Sequence, residues 1–284
     1  MKSIKLIECP RDAMQGWPQI IPTEKKISYI NALLKVGFDT IDFGSFVSPK
    51  AIPQMADTAE LVKGLQLNTQ SSKLLSIVAN ERGARDALTF EEISYLGFPF
   101  SISETFQQRN THSTMAMSLE RVADIQNLCN KNGKVLVIYI SMGFGNPYGD
   151  PYNEEIVFNW VNKLAGMDIR IISLADTVGL ATAEQVKRMT KYLVESLLDV
   201  EIGVHLHSTP ANWKEKLDAA LSAGCKRFDG ALKGIGGCPM AGDELVGNMD
   251  TGLMIPYFYE RNLLKGLNLE ELHHCYRLAD EIFV

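Results

Sequence analysis

The sequence predicts a (β/α)8 TIM barrel with additional C-terminal helices, and three observations lead there. Short apolar, β-branched runs alternate with longer amphipathic ones from end to end, as βα units around a parallel sheet require. Eight such runs can be counted in 284 residues, close to the roughly 250 residues typical of an eight-unit barrel. Polar residues gather where those runs end, which is the face on which such barrels place their chemistry. The competing fold, an open doubly wound sheet, would normally carry a glycine-rich phosphate turn after its first strand; that position reads "ECPRDAMQ".

In chain order the expected strands are "IKLIE", "TIDFG", "KLLSIVA", "EISYLGF", "VLVIYIS", "IRIISLA", "IGVHLH" and "RFDGAL". The first helix follows the cap-like "PTEKK", with Ile27, Ile30 and Leu34 on one face and Gly37 as its terminator. Further helices are expected over 53–64, 81–89, 117–132, 153–165, 182–197 and 211–223. "NLEELHHCYRLADEIF" closes the chain as a helix, with Asn268 and Glu271 spaced as a capping box. The stretch "FSISETFQQRNTHSTMAMS" reads as an unusually long polar loop, either a binding loop or simply a solvated one. His112 within it, and His273 and His274, read as surface residues. No low-complexity linker or composition break divides the chain. It reads as one domain over 1–284, with the barrel core ending near residue 235 and a lid loop and helices over 236–284.

Composition narrows the function. With 46% hydrophobic and 22% charged residues this is ordinary globular usage. A net charge of −6 gives no support to a nucleic-acid or anionic-membrane partner, because those sites need clustered Lys and Arg. A small-molecule partner is expected instead. The five cysteines are odd in number and widely spaced, with no C-x-x-C pair, as reduced cytosolic thiols are. "MKSIKLIECPRD" resembles neither a signal nor a transit peptide, and no apolar run reaches the roughly 18 residues of a membrane span, so the cytoplasm is the expected location.

The polar residues at the strand ends are Arg11 and Asp12 after the first, Asp42 in the second, Asp176 after the sixth, and His205 and His207 at the end of the seventh. Successive side chains on a strand alternate faces, so the two histidines share one, about 7 Å apart along the backbone. Taken singly, an H-x-H is more often structural than ligating, and an isolated Arg-Asp is more often a turn or surface pair. Their convergence at one end of one barrel is what points to a site. Asp12, His205 and His207, joined by Asn248 from beyond the eighth strand, mix oxygen donors with imidazoles and include no thiolate. Such a set suits Mg²⁺ or Mn²⁺ with positions left for substrate oxygens, and Zn²⁺ is the second choice. "GIGGCPMAG" is either a turn with a buried small thiol or a glycine-hinged lid that brings Cys238 over the site. The other four cysteines read as packing.

"ECPRDAMQ" resembles the G-P-R-D-G-x-Q opening of the 3-hydroxy-3-methylglutaryl-CoA lyases, metal-dependent TIM-barrel enzymes related to the isopropylmalate and citramalate synthases. The resemblance continues in order through "IDFGSFVSPKAIPQMAD", "SETFQQRN", "SLADTVG", "VHLH" and "GIGGCPMA", to the "GN" that ends at Asn248. It implies a Claisen-type cleavage of a 3-hydroxyacyl-CoA to acetyl-CoA and a ketoacid such as acetoacetate, usually in a homodimer. It implies Asp12, His205, His207 and Asn248 as metal ligands, Arg11 as the cation at the leaving enolate and Cys238 as the lid thiol. Asp42 stands where the family carries an acidic residue, usually Glu, and Asp176 matches the aspartate of its "GDT". His205 or Asp42 is then the expected base. The chain departs from the pattern at Ala13, at "GWPQ" around Pro18, and at Ser208-Thr209-Pro210, changes that bear on which acyl group is taken. A condensing synthase and a non-catalytic acyl-CoA-binding barrel are the alternatives. The "GGCP" lid favours the lyase, and retention of Arg11, Asp12 and both histidines argues against lost activity.

Overall fold

The computed structural model describes residues 4–68, 72–237 and 246–284. Its centre is a closed parallel barrel of β1 (Lys5–Glu8), β2 (Thr40–Ser45), β3 (Lys73–Ile77), β4 (Ile93–Ser101), β5 (Val135–Ser141), β6 (Ile171–Ala175), β7 (Glu201–His205) and β8 (Arg227–Gly230), in that order around the ring. Each strand pairs with its sequence neighbours, and β8 closes onto β1 through Ile7↔Asp229 and Glu8↔Gly230. The expected barrel and all eight expected strands are present.

The larger core lies outside the barrel, between sheet and helices. Strand residues of one parity, among them Leu6, Ile41, Phe43, Leu96, Phe98, Ile138, Leu174, Val204 and Phe228, pack there against the helices. The opposite parity points inward, where only a small apolar cluster forms from Leu75, Tyr95, Val137, Tyr139 and Ile171. Polar side chains share that interior: Asp42, Ser173, Arg227 and Asp229 are all at most 2% exposed. The filling is thus mixed, where the branched strand residues suggest an apolar one.

The first long helix spans Thr23–Val36 and ends on Gly37 at φ 96°, the left-handed terminator that its sequence requires. The closing helix Leu269–Ile282 lies against it; Asn268 caps that helix by accepting from Glu270 N and Glu271 N at 3.2 Å, while its own amide bonds Val36 O at 2.8 Å. Chain end and chain start are thus fastened together.

One expected loop is a helix. Residues Glu104–Thr111 form two helical turns behind β4, with the Ser103 hydroxyl accepting from Phe106 N at 3.1 Å. Its polar side chains satisfy one another inside the protein. Gln107 accepts from Ser101 N at 2.8 Å and donates to Ser118 Oγ at 2.6 Å, and Phe106 beside it is buried. A polar stretch that pairs internally has the composition of a solvated loop without being one.

Candidate active site

The sequence places a helix start immediately after β1. Pro10 occupies the first position of the short helix Pro10–Gln15, where its missing N–H costs nothing, so Arg11 and Asp12 stand in the first turn at the barrel mouth. Asp12 is the hub. Its Oδ1 accepts from Arg11 at 2.9 Å and from Gln15 Nε2 at 2.7 Å, and its Oδ2 accepts from Asn248 Nδ2 at 2.7 Å. Burial works against its charge, but Arg11, both histidines and Asn248 together hold the carboxyl below its ordinary pKa.

His205 ends β7 and His207 lies two residues past it, with ring centroids 5.5 Å apart. His207 Nδ1 meets Val246 O at 2.6 Å, and because a carbonyl only accepts, the ring proton sits on Nδ1 and Nε2 keeps a free lone pair. Burial and the neighbouring His205 lower the pKa of His207, which favours this neutral form. For His205 burial acts in the same direction, but the Asp229 carboxylate, 3.3 Å from Nδ1, outweighs it and raises the pKa.

Asn248 reaches the site by an antiparallel bridge to His207, flanked by Ser208 N bonding Gly247 O and Met249 N bonding Leu206 O, each at 3.0 Å. Its Nδ2 is spent on Asp12 and Ile235 O, and its Oδ1 is buried with no partner among the described residues. A buried carbonyl oxygen without a donor is costly, and a cation would satisfy it. Ligand atoms of Asp12, His205 and His207 all lie within 4.8 Å of one another. The free His207 Nε2, the orphaned Asn248 Oδ1 and the ionised Asp12 make a donor set that fits a divalent ion.

These groups open onto a cavity with about 240 Å³ accessible to water, walled by Arg11, Asp12, His205 and His207 on the polar side. Val47, Ile52, Ile77 and Phe106 form much of the apolar side. His112, exposed as expected, also reaches the cavity wall from the end of the Glu104–Thr111 helix. The "GWPQ" segment is braced from below by Gln54, which donates to the carbonyls of Trp17 and Gln19 and accepts from Ile21 N at 2.9 Å.

Two expected acids are engaged elsewhere. Asp42 is a partner of Arg11, accepting from Nε at 3.1 Å and from the terminal guanidinium nitrogen, and it does not line the cavity. Its carboxylate is committed to the guanidinium. Asp176 lies behind the wall, where Lys216 Nζ donates to it at 2.7 Å and to His207 O at 2.8 Å. That buried pair ties the end of β6 to the His207 backbone. Cys238 lies outside the described residues; Gly236 and Gly237 before it have φ of 111° and 132°, which only glycine adopts freely. Cys9, Cys129, Cys225 and Cys275 are buried.

Sequence reasoning did not single out Gln15, Tyr139, Thr177, Lys216 or Asp229. A signal existed for Asp229: in "RFDGAL" it shares a strand face with Arg227, and two charges on one inward face of a barrel strand demand partners.

Comparison with known proteins agrees with this geometry. Residues 4–278 match the HMGL-like family. The mitochondrial hydroxymethylglutaryl-CoA lyase of Bos taurus is 31% identical over 274 residues, 95% of this chain and 83% of that protein. Hydroxymethylglutaryl-CoA lyase YngG of Bacillus subtilis is 31% identical over 272 residues, 96% of this chain and 90% of that protein. Among solved structures, an HMG-CoA lyase from Acinetobacter baumannii in complex with coenzyme A and 3-methylmalate has TM-score 0.91 at 31% identity, covering 99% of this chain and 91% of that one. The Bacillus subtilis HMG-CoA lyase has TM-score 0.92 at 29% identity, covering 99% and 94%. The carboxyl transferase domain of Rhizobium etli pyruvate carboxylase, at 15% identity and TM-score 0.70, shares the fold alone. With a family match across nearly its whole length and relatives this similar, the chain belongs to the HMGL-like family.

Proposed function

We propose that this chain is a divalent-metal-dependent carbon–carbon lyase that cleaves 3-hydroxy-3-methylglutaryl-CoA, or a close 3-hydroxyacyl-CoA, to acetyl-CoA and acetoacetate or a related ketoacid. The observation that carries it is the convergence of Arg11, Asp12, His205 and His207 on one wall of one cavity. The relatives' lyase names favour cleavage over condensation, and the coenzyme A bound to a relative supports an acyl-CoA ligand. We assign Mg²⁺ or Mn²⁺ as the ion, a homodimer as the assembly, the whole of 1–284 as one catalytic unit and the cytoplasm as its location. No helix among the described residues is long and apolar enough to cross a membrane.

Asp12, His205, His207 and Asn248 would hold the ion, which when bound lowers the pKa of a coordinated hydroxyl and orients its neighbours. Arg11 would meet the charge of the departing enolate. Asp42 and Asp12 on two sides fix its guanidinium and keep it charged against burial, so its donors need no reorganisation as charge develops. The hydroxyl proton needs a base on the cavity wall. With Asp42 engaged by Arg11, His205 is that group; Nδ1 bonded to Asp229 leaves one lone pair, at Nε2, which would take the proton only when it is not given to the ion. Cys238 would return a proton to the enolate carbon.

The test is purified protein with 3-hydroxy-3-methylglutaryl-CoA, Mg²⁺ or Mn²⁺ and a thiol reductant, following acetoacetate and acetyl-CoA. No product from the wild type refutes the substrate. His207→Ala is expected to lose bound metal, and Cys238→Ala to keep metal and lose turnover; equal metal loss in both sinks the division of roles.

A further inference from the structure

A second group of ligating side chains lies behind the first. Cys9, at the end of β1, Asp229 on β8 and His205 on β7 bring a sulfur, a carboxylate oxygen and a ring nitrogen within 4.8 Å of one another. Cys9 is fully buried, Asp229 is 2% exposed and the His205 side chain 12%. None of the three is well satisfied. Asp229 Oδ1 has no partner among the described residues, and Oδ2 meets His205 Nδ1 at 3.3 Å, long for a charge-assisted bond, which closes to about 2.7–2.9 Å when well made. Among the described residues Cys9 Sγ makes one hydrogen bond, a long one to Ile7 O at 4.0 Å, so the thiol is nearly uncommitted.

One of the three spacings is that of a known coordination geometry, and the other two lie within reach of it. In a tetrahedral zinc site with N and O bonds of about 2.0 Å, those two ligand atoms stand about 3.3 Å apart, which is the His205–Asp229 separation. Thiolate, imidazole and carboxylate form a borderline-soft set that Zn²⁺ prefers and Mg²⁺ does not. One thiolate and one carboxylate also cancel the ion's charge, so a buried site of this kind carries no net charge. The oxygen-rich group of Asp12, His207 and Asn248 has the opposite preference.

We propose that Cys9, His205 and Asp229 form a zinc-class site, separate from the Asp12–His207–Asn248 group, and that filling it takes His205 away from that group. A neutral imidazole has one lone pair. When Nδ1 binds zinc, the ring proton moves to Nε2, which faces Asp12 at 4.0 Å and then donates instead of ligating. The thiol proton leaves to solvent as the Zn–S bond forms. Zinc is thereby an inhibitor of the Mg²⁺- or Mn²⁺-loaded enzyme. That consequence, unlike the site itself, rests on the reading given under Proposed function.

The experiment titrates the metal-stripped full chain with Co²⁺, whose thiolate complexes show a near-ultraviolet charge-transfer band. Wild type and Cys238→Ser are expected to show the band and to lose it when one equivalent of Zn²⁺ is added; Cys9→Ser, Cys9→Ala and Asp229→Asn are expected to lack it. Cys9→Ser should bind Mn²⁺, read by electron paramagnetic resonance, within about twofold of wild type, and should need at least tenfold more zinc for half-inhibition. A wild type without the band, a band that survives Cys9→Ser or vanishes in Cys238→Ser, or joint loss of the band and of Mn²⁺ binding in both Cys9 variants overturns the proposal. A Cys9-dependent band in a chain without lyase activity would refute the assigned reaction and leave this site standing.

Discussion

Replacing Glu8 by Gln should remove a large part of the protein's pH dependence of stability. Glu8 is fully buried on the outer face of β1, where its Oε1 accepts from Leu232 N at 2.8 Å and its carboxyl lies beside the Thr251 hydroxyl. Burial raises its pKa from 4.5 to about 8; the Thr251 hydroxyl and the Leu232 amide offset part of that, and Asp250 adds to it. A carboxyl with a raised folded pKa binds its proton more tightly in the native state. Its stabilising contribution is complete below pH 4.5 and is lost as pH rises to about 8, at about 1.4 kcal/mol per pH unit within that window. Between pH 6 and pH 8 the loss is about 2 kcal/mol, allowing for half-titration at the upper limit. A chain of this length has an unfolding entropy near 0.6 kcal/mol/K, so the wild-type Tm should fall by about 4 °C over that interval from this group alone. Gln keeps the acceptor for Leu232 and never ionises. The assay is thermal unfolding by circular dichroism at pH 6 and pH 8 for both proteins. If Glu8→Gln falls as steeply as the wild type, Glu8 is not the group that titrates and the reasoning fails.

Two further substitutions probe the site itself. Arg11→Lys keeps the charge but cannot span Asp12 and Asp42 at once; kcat should drop by about 10²–10³, and a drop below fivefold would remove Arg11 from charge stabilisation. Lys216→Met leaves Asp176 buried and without its cation, which should cost about 3–5 kcal/mol in urea unfolding, whereas adding Asp176→Asn should recover at least half of the loss. No recovery in the double variant would mean that Lys216 acts by packing.

The barrel was legible because its signal is local and repeated: each strand carries its own β-branched run and each helix its own spacing. The polar wall was legible because barrel topology assigns strand ends to one face, so Arg11, Asp12, His205 and His207 could be placed together without knowing any distance. What stayed hidden depends on contacts between distant segments. The engagement of Asp42 by Arg11 and of Asp176 by Lys216 turns expected acids into fixed supports, and no local pattern announces an ion pair 31 or 40 residues away. The Glu104–Thr111 helix was missed for a related reason, since Gln107, Ser113 and Ser118 look hydrophilic until they are seen bonded to one another. The proximity of Cys9 to His205 and Asp229 stayed hidden because those residues sit on β7 and β8, at the far end of the chain.

The bond between Asn248 and Asp12 joins residues 236 positions apart across the seam where β8 closes onto β1. The group proposed to hold the ion is therefore complete only when the ring shuts. An ion cannot nucleate folding here, because contacts of such long range form after the local βα units. It can act as a clasp on the finished ring, adding its binding free energy to whatever must be overcome for the seam to part. Metal should thus slow unfolding while leaving the refolding rate nearly unchanged, which makes the lifetime of the closed barrel a property that the cell's metal supply can set.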